Sequence, residues 1–328
     1  MNVAAARDQY PSQVIENTFL CREHYRLVLR LPTFPQTEPG QFVQVACRDT
    51  GVAYIPDREH DWLIGQPPEQ LGAELAQPLA YLRRPFSLAG RSDGPDGVRL
   101  ELIHRIVGVG THWMSELKIG DGVDVLGPLG NRFRLPTEDE IPLLVGGGVG
   151  IPPMLYLAEK LPGKKGIAFC GALTRDLLPL TMTDNAAPSA DSVHPLSNVA
   201  EFSRHGVAAV ISTDDGSYGF RGFVTQALER YLDRAFPSGT GAGMRPVIYT
   251  CGPEPMMKRV AEIAGARDIE CQVAVERAMA CGMGTCQSCC IRLRRDPKRD
   301  GRAFEGKDWI YKLACTDGPV FLGKDLLW

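Results

Sequence analysis

Cys281, Cys286 and Cys289 stand in CGMGTCQSC with the spacing C-x4-C-x2-C, and Cys315 follows in YKLACTDGP. Three close cysteines with a distant fourth match the plant-type ferredoxin pattern for a 2Fe–2S cluster. Such a cluster needs four thiolates around a small volume, with backbone N–H groups turned toward its sulfur. Gly282 and Gly284 suit that need, because a loop without side chains wraps closely. Four thiolates would also serve a structural zinc ion, but zinc sites usually come as two C-x2-C pairs and here there is one. Iron–sulfur is the favoured reading. Cys290, directly after Cys289, is expected to point away, since sequence neighbours rarely both ligate a cluster.

A second group is Arg84-Pro85-Phe86-Ser87, taken with His104-Arg105 and Gly108-Val109-Gly110-Thr111. A short strand carrying Arg and Ser, then a Gly-Val-Gly-Thr turn opening the helix HWMSEL, offers a cation, a hydroxyl and free N–H groups at a helix N-terminus. Those are the groups that a flavin pyrophosphate needs. Pro85 removes a ladder hydrogen bond and so suits an edge strand. Alone, the group fits an ordinary hairpin equally well. A third group, Gly146-Gly147-Gly148-Val149-Gly150-Ile151-Pro152-Pro153, lies between the strand-like LLV and the helix-like MLYLAEKL. A glycine-rich turn there lets backbone approach a phosphate. Pro153 stands where a third fingerprint glycine would fall, and no G-K-[ST] follows. Cys251-Gly252-Pro253 ends a later strand at the same sheet edge, where open α/β sheets bind ligands.

These groups need elements to hold them. HYRLVLRLP, GQFVQVAC, RPFSLAG, VRLELIHRIV and DGVDVLGPLG read as short strands, predicting a β-barrel over residues 1–137. A turn-rich surface insertion interrupts it at about 48–80. Over 138–266, the apolar runs IPLLVGGG, KGIAFCGA, GVAAVISTD and RPVIYTCGP alternate with the helices MLYLAEKL, FVTQALERYL and MMKRVAEIA. That alternation predicts a parallel α/β sheet. Asn185 to Ser203 lacks clean periodicity and reads as a loop. Residues 267–328 are short, cysteine-dense and poor in helix signal, predicting a small cluster module. The fold class is thus a multidomain α+β protein.

Composition narrows the function. The chain has 328 residues, 44% hydrophobic and 23% charged, so two or three ordinary domains are expected. A formal net charge of −3 supplies no basic field for nucleic acid and no polybasic membrane patch. No run of eighteen apolar residues predicts a membrane span, and the N-terminal text has no secretory core segment. A cytoplasmic location is the expectation. In that reducing setting, clustered cysteines bind metal or do redox chemistry. Cys21, Cys47, Cys170 and Cys271, standing singly, read as small core residues. His24, His60, His104, His112, His194 and His205 form no ligand spacing, and no nucleophile–base constellation is visible. Glu276, five residues before Cys281, is expected either near a flavin or capping a turn.

RPFSLAG, VGVGTHWMS, GPLGNRF, LLVGGGVGIPPM, TDDGSYGFRGFVT, YTCGPEPMM, AMACGMGTCQSC and CTDGPVF follow one another along the chain. In that order they resemble the electron-transfer subunit of class 1B dihydroorotate dehydrogenase, in the ferredoxin-reductase group of flavoproteins. The resemblance spans about Val14 to Phe321. It implies an FAD-binding barrel, a domain that binds NAD(H) as a diffusible substrate, and a 2Fe–2S module. By the resemblance, Arg84, Pro85, Phe86 and Ser87 contact FAD, as do Ile103, His104, Arg105, Gly110 and Thr111. Cys281, Cys286, Cys289 and Cys315 hold the cluster. Gly148, Gly150, Cys251, Gly252 and Pro253 lie toward the nicotinamide nucleotide. The partner implied is a separate FMN-containing catalytic subunit, in a heterotetramer with two copies of each chain. Electrons from dihydroorotate would pass through FMN, the cluster and FAD to NAD, within pyrimidine biosynthesis.

Two stretches depart from the resemblance, the insertion after Cys47 and the basic text RRDPKRDGRAFEGK at 294–307. The second borders the cluster and bears on the docking face. NAD over NADP rests on the resemblance: no clear arginine pair for a 2′-phosphate is visible, and Arg175 is left as the residue that could meet one. The alternatives are an electron-transfer subunit serving ferredoxin, a hydrogenase or a sulfite reductase, and a non-catalytic redox sensor. No catalytic acid–base residue is expected, because hydride transfer requires ring positioning and the cofactors carry the chemistry.

Overall fold

The computed structural model describes residues 8–49, 80–161, 163, 166–183, 188–237, 243–296 and 308–328. Most of the expected insertion at 48–80 and of the basic stretch at 294–307 lies outside the described residues.

The first part is one antiparallel sheet. Its strands are β1 (Asp8–Cys21), β2 (His24–Leu31), β3 (Phe42–Val45), β4 (Arg84–Ser87), β5 (Gly90–Gly94), β6 (Gly97–Arg105) and β7 (Gly122–Leu129). Among the described residues they run in the order β4-β3-β7-β1-β2-β6-β5, with helix α1 (Val109–Glu116) between β6 and β7 in sequence. The sheet curls into a half-barrel because alternate residues, among them Leu27, Leu29, Val43, Val45, Leu100 and Val125, close on one apolar core. β4 lies at the edge of the sheet order, where Pro85 costs no interior ladder bond. β1 carries no clean alternating signal, yet it sits mid-sheet between β7 and β2. Pairing on both sides holds it, so tertiary context overrides weak local propensity.

The second part is a parallel sheet of β8 (Glu140–Gly147), β9 (Ile167–Ala172), β10 (Ala208–Thr213), β11 (Phe220–Arg221), β12 (Arg245–Cys251) and β13 (Glu270–Ala274). A late strand, β16 (Val320–Leu322), adds antiparallel to the β13 edge, giving the order β11-β10-β9-β8-β12-β13-β16. The helices are α2 (Ile151–Glu159), α3 (Ala200–Ser203), α4 (Val224–Ala235) and α5 (Glu254–Gly265). β14 (Cys290–Arg294) and β15 (Trp309–Leu313) pair antiparallel outside this sheet. β13 follows the expected boundary at 266 but belongs to the parallel sheet, and the chain returns to that sheet through β16. Among its described residues, the expected loop from Asn185 to Ser203 contains a single helical turn, α3, beside a bridge from Met182 to Val199.

Two features join the parts. α2 is buried along nearly its whole length, because it packs on the parallel sheet with one side and on the half-barrel with the other. Its Tyr156 reaches the barrel core, and its hydroxyl donates to the Thr37 carbonyl at 2.8 Å. Phe42, Leu126 and Leu129 of the half-barrel share one core with Val273 of the parallel sheet and with Cys289, Ile291 and Cys315 near the C-terminus. No helix among the described residues is long and apolar enough to cross a membrane.

Candidate functional site

The loop before β14 and the turn after β15 bring the four motif cysteines together as two pairs. The Cys286 N–H donates to Cys281 Sγ at 3.4 Å, and the Cys315 N–H donates to Cys289 Sγ at 3.4 Å. A second amide, that of Met283, also points at Cys281 Sγ at 3.4 Å. The loop turns this tightly because Gly282 and Gly284 adopt φ of +70° and +86°, where a side chain is strained. Cys281 and Cys286 lie toward solvent, whereas Cys289 and Cys315 are buried. The Ser288 hydroxyl 3.2 Å from Cys286 Sγ is the first cause that pushes the Cys286 thiol down to about 6. Burial, and then Cys289, push Cys315 up to about 12. Among the described residues no three His, Cys, Asp or Glu side chains gather to hold a single metal ion. Four thiols with backbone amides aimed at the Cys281 and Cys289 sulfurs fit an iron–sulfur group. Cys290 opens β14 opposite Leu313, out of both pairs.

The flavin candidates collect along β4, β6 and the start of α1. In register, Ser87 lies opposite Phe42 and Pro85 opposite Gln44. Phe86 meets the His104 ring edge to face, with centroids 6.3 Å apart, and His104 stacks on Tyr25. Burial lowers the His104 pKa to about 4, so the ring is neutral at physiological pH. Ile103 is buried beside it, while Arg105 turns away to pair with Glu23 at 2.7 Å. At α1 the Thr111 hydroxyl accepts from the Val107 and Gly108 amides at 2.9 and 3.2 Å, fixing the turn. Gly110 is closely packed, since a Cβ there would sit 3.0 Å from Cys47 Cβ and would make its neighbours give way. Arg84 is exposed, donates to the Leu82 carbonyl at 3.1 Å, and forms no ion pair among the described residues. Its charge also reaches Cys47, which lies against Gly110 at the start of α1, so a cation and a helix N-terminus converge on one side of the half-barrel. That donor set fits a pyrophosphate.

The nucleotide candidates meet where the strand order reverses. β9 lies on one side of β8 and β12 on the other, which makes the loops after β8 and β12 the walls of a crevice. The glycines there have different neighbours. A Cβ on Gly150 would fall 2.1 Å from the Cys251 carbonyl oxygen, and one on Gly147 would fall 2.5 Å from Met256 Sδ. Gly148, at φ +53°, faces open space. Gly252, at φ +146°, packs on the Gly147 backbone, and Pro253 precedes the first turn of α5. Cys251 is buried, and its thiol is raised to about 12 by burial and then by the charge of Glu276. Glu276 keeps an exposed edge, yet crowding by protein raises its own pKa.

The chain is 32% identical over 251 residues to the dihydroorotate dehydrogenase B (NAD(+)), electron transfer subunit, of Caldanaerobacter subterraneus, covering 76% of this chain and 83% of that protein. The subunit of the same name from Fusobacterium nucleatum is 30% identical, covering 95% of this chain and 96% of the other. This chain belongs to that family. Residues 276–327 also match the family model described as the iron–sulfur cluster binding domain of dihydroorotate dehydrogenase B. In fold, the chain is similar to an NADH-dependent reduced ferredoxin-NADP oxidoreductase at TM-score 0.67 and 24% identity, covering 100% of this chain and 92% of that one. A cytochrome P450 reductase from Amycolatopsis follows at TM-score 0.56 and 24% identity, over 81% of this chain and 68% of that one.

Sequence reasoning passed over one residue at the site. Gln44, in the otherwise apolar FVQV of β3, is fully buried against the cluster loop. The only signal for it was an amide in a strand where valine or leucine would pack.

Proposed function

We propose that this chain is the electron-transfer subunit of an NAD-linked dihydroorotate dehydrogenase, carrying FAD and a 2Fe–2S cluster and serving a separate FMN-containing catalytic subunit. The observation that carries this reading is the gathering of four thiols as two pairs in a chain of this family. The chemistry supplied by bound FAD and the cluster is exchange between two-electron hydride transfer and single-electron transfer. The chain's residues hold and shield. Cys281, Cys286, Cys289 and Cys315 would ligate iron, with the Met283, Cys286 and Cys315 amides turned toward sulfur. Arg84, Ser87 and the N-terminus of α1 at Gly110 and Thr111 would take the flavin pyrophosphate, and the Ile103-His104-Arg105 strand the flavin's flank. The open Gly148 and the Cys251-Gly252-Pro253 turn would face the nicotinamide nucleotide, with Gly150 setting the spacing of the two loops. Buried Cys251, its thiol kept protonated by burial, offers neutral packing beside the nucleotide. Two copies of each chain in a cytoplasmic assembly complete the reading.

The test is anaerobic NADH formation on adding dihydroorotate to this chain co-expressed with the FMN-type catalytic subunit of the same genome. NADH formation that needs both chains is expected. Bound flavin and cluster with no NADH formation would assign the chain to a different reductase partner.

A further inference from the structure

β3 is a four-residue strand with all of its residues buried, but its two faces look at different things. Val43 and Val45 point into the half-barrel core. Phe42 and Gln44 point the other way, and Phe42 joins the core that contains Cys289 and Cys315. Leu126, paired with Gln44 across the sheet, joins the same core. Gln44 is 0% exposed, and neither its amide oxygen nor its amide nitrogen has a hydrogen-bond partner. A buried, unpaired amide is costly, and an apolar residue of similar size would pack there without that cost.

The amide is pressed against the cluster loop. A Cβ on Gly282 would sit 2.8 Å from Gln44 Cδ and Oε1 and 3.0 Å from Nε2. Gly282 is bracketed by Cys281 and by Met283, whose N–H already points at Cys281 Sγ. Gln44, Ala280, Cys281 and Met283 line one cleft of about 280 Å³. The unpaired donor and the first cluster thiol therefore share the same space.

We infer that Gln44 is a positioning residue for the cluster, its Nε2–H donating toward the sulfur shell around Cys281 and holding the cluster's reduction potential up. The inference rests on the reading of Cys281, Cys286, Cys289 and Cys315 as cluster ligands. A donor aimed at cluster sulfur stabilises the reduced, more negative state, so removing it makes the cluster a weaker electron acceptor. The strand that bears Gln44 also pairs with Arg84–Ser87, which ties Gln44 to the flavin-side strand. A water filling the cleft is the competing partner for the amide, and it would leave the potential where it is.

The experiment is a potentiometric titration of the cluster, followed by electron paramagnetic resonance, on the full chain with iron and acid-labile sulfide measured in parallel. Gln44→Met keeps the volume and deletes the donor, and Gln44→His keeps an N–H. We expect Gln44→Met to shift the reduction equilibrium about tenfold toward the oxidised cluster, ~59 mV for one electron. Gln44→His should lie nearer the wild type. Retention of the cluster by Gln44→His with its loss in Gln44→Met would also support a required donor. Unchanged potentials in both variants, or equal shifts or equal cluster loss in both, would overturn the inference and leave Gln44 a space-filler. Wild-type protein without iron and sulfide would sink the cluster reading instead.

Discussion

The cluster loop and the glycine-rich turn after β8 are both short, glycine-bearing segments, yet their glycines answer to different neighbours. In the cluster loop, Gly282 makes way for Gln44 from a distant strand and Gly284 for Thr316. In the turn, Gly147 and Gly150 make way for Met256 and the Cys251 backbone, and only Gly148 opens to free space. A glycine in a sequence therefore announces close approach or a left-handed backbone. It does not say whether protein or ligand makes the approach.

The comparison breaks most directly at the ligands. Cys286→Ser should abolish the cluster absorbance and the labile sulfide while flavin stays bound, and transfer from the catalytic subunit to NAD should stop. The equivalent change at Cys290 should leave the cluster intact. Iron, sulfide and flavin assays on the same preparations decide it, and cluster retention in Cys286→Ser would remove that ligand assignment.

Next come the packed glycines. Gly150→Ala drives a methyl into the Cys251–Gly252 backbone, which cannot yield as a flexible side chain would. A loss of about 3 kcal/mol is expected in denaturant unfolding. Retained stability would mean that the two loops separate easily and that Gly150 is free for a ligand after all.

On the half-barrel side, His104 makes a pH prediction of similar size. The unfolded chain takes up the imidazole proton near pH 6.5 and the folded chain only near about 4. Unfolding therefore binds a proton between those values, and stability falls as the pH falls through them. The loss is about 3 kcal/mol when the pH has fallen to 4. Unfolding curves of the wild type and His104→Phe should diverge below pH 6.5, and parallel curves would show that His104 is freely hydrated.

Arg84→Ala should weaken FAD binding by roughly 1.5–3 kcal/mol, tenfold or more, without changing the melting temperature of the flavin-free chain. Flavin fluorescence titration reads the first quantity and calorimetry the second. The smallest effect belongs to Gly148→Ala, where only the left-handed backbone resists. About 1 kcal/mol of stability should be lost, against the larger loss at Gly150. Equal losses at the two positions would erase the distinction drawn between them.

The legible parts share a property. The Cys281–Cys289 spacing, the RPFS strand and the alternating runs of β8, β9, β10 and β12 are local, so residue types and short periods reveal them. β1 was invisible because its strand character comes from partners on both sides. β16 was invisible because three residues carry no period, and they become a strand only by adding to β13. The C-terminal segment consequently closes the edge of the parallel sheet as well as carrying the fourth cysteine.

The amino-acid sequence by itself determined the ligand set to expect, the two sheet classes and the family, because each rests on identity and spacing along the chain. Only the tertiary structure decided that the thiols gather as two pairs, that Gly150 is filled by protein while Gly148 is open, and that Gln44 reaches the cluster loop. Those facts depend on contacts between residues separated by as much as most of the chain. Such contacts are set by how the half-barrel, the parallel sheet and the C-terminal segment close on a shared apolar core, and no local pattern encodes which side chain meets which.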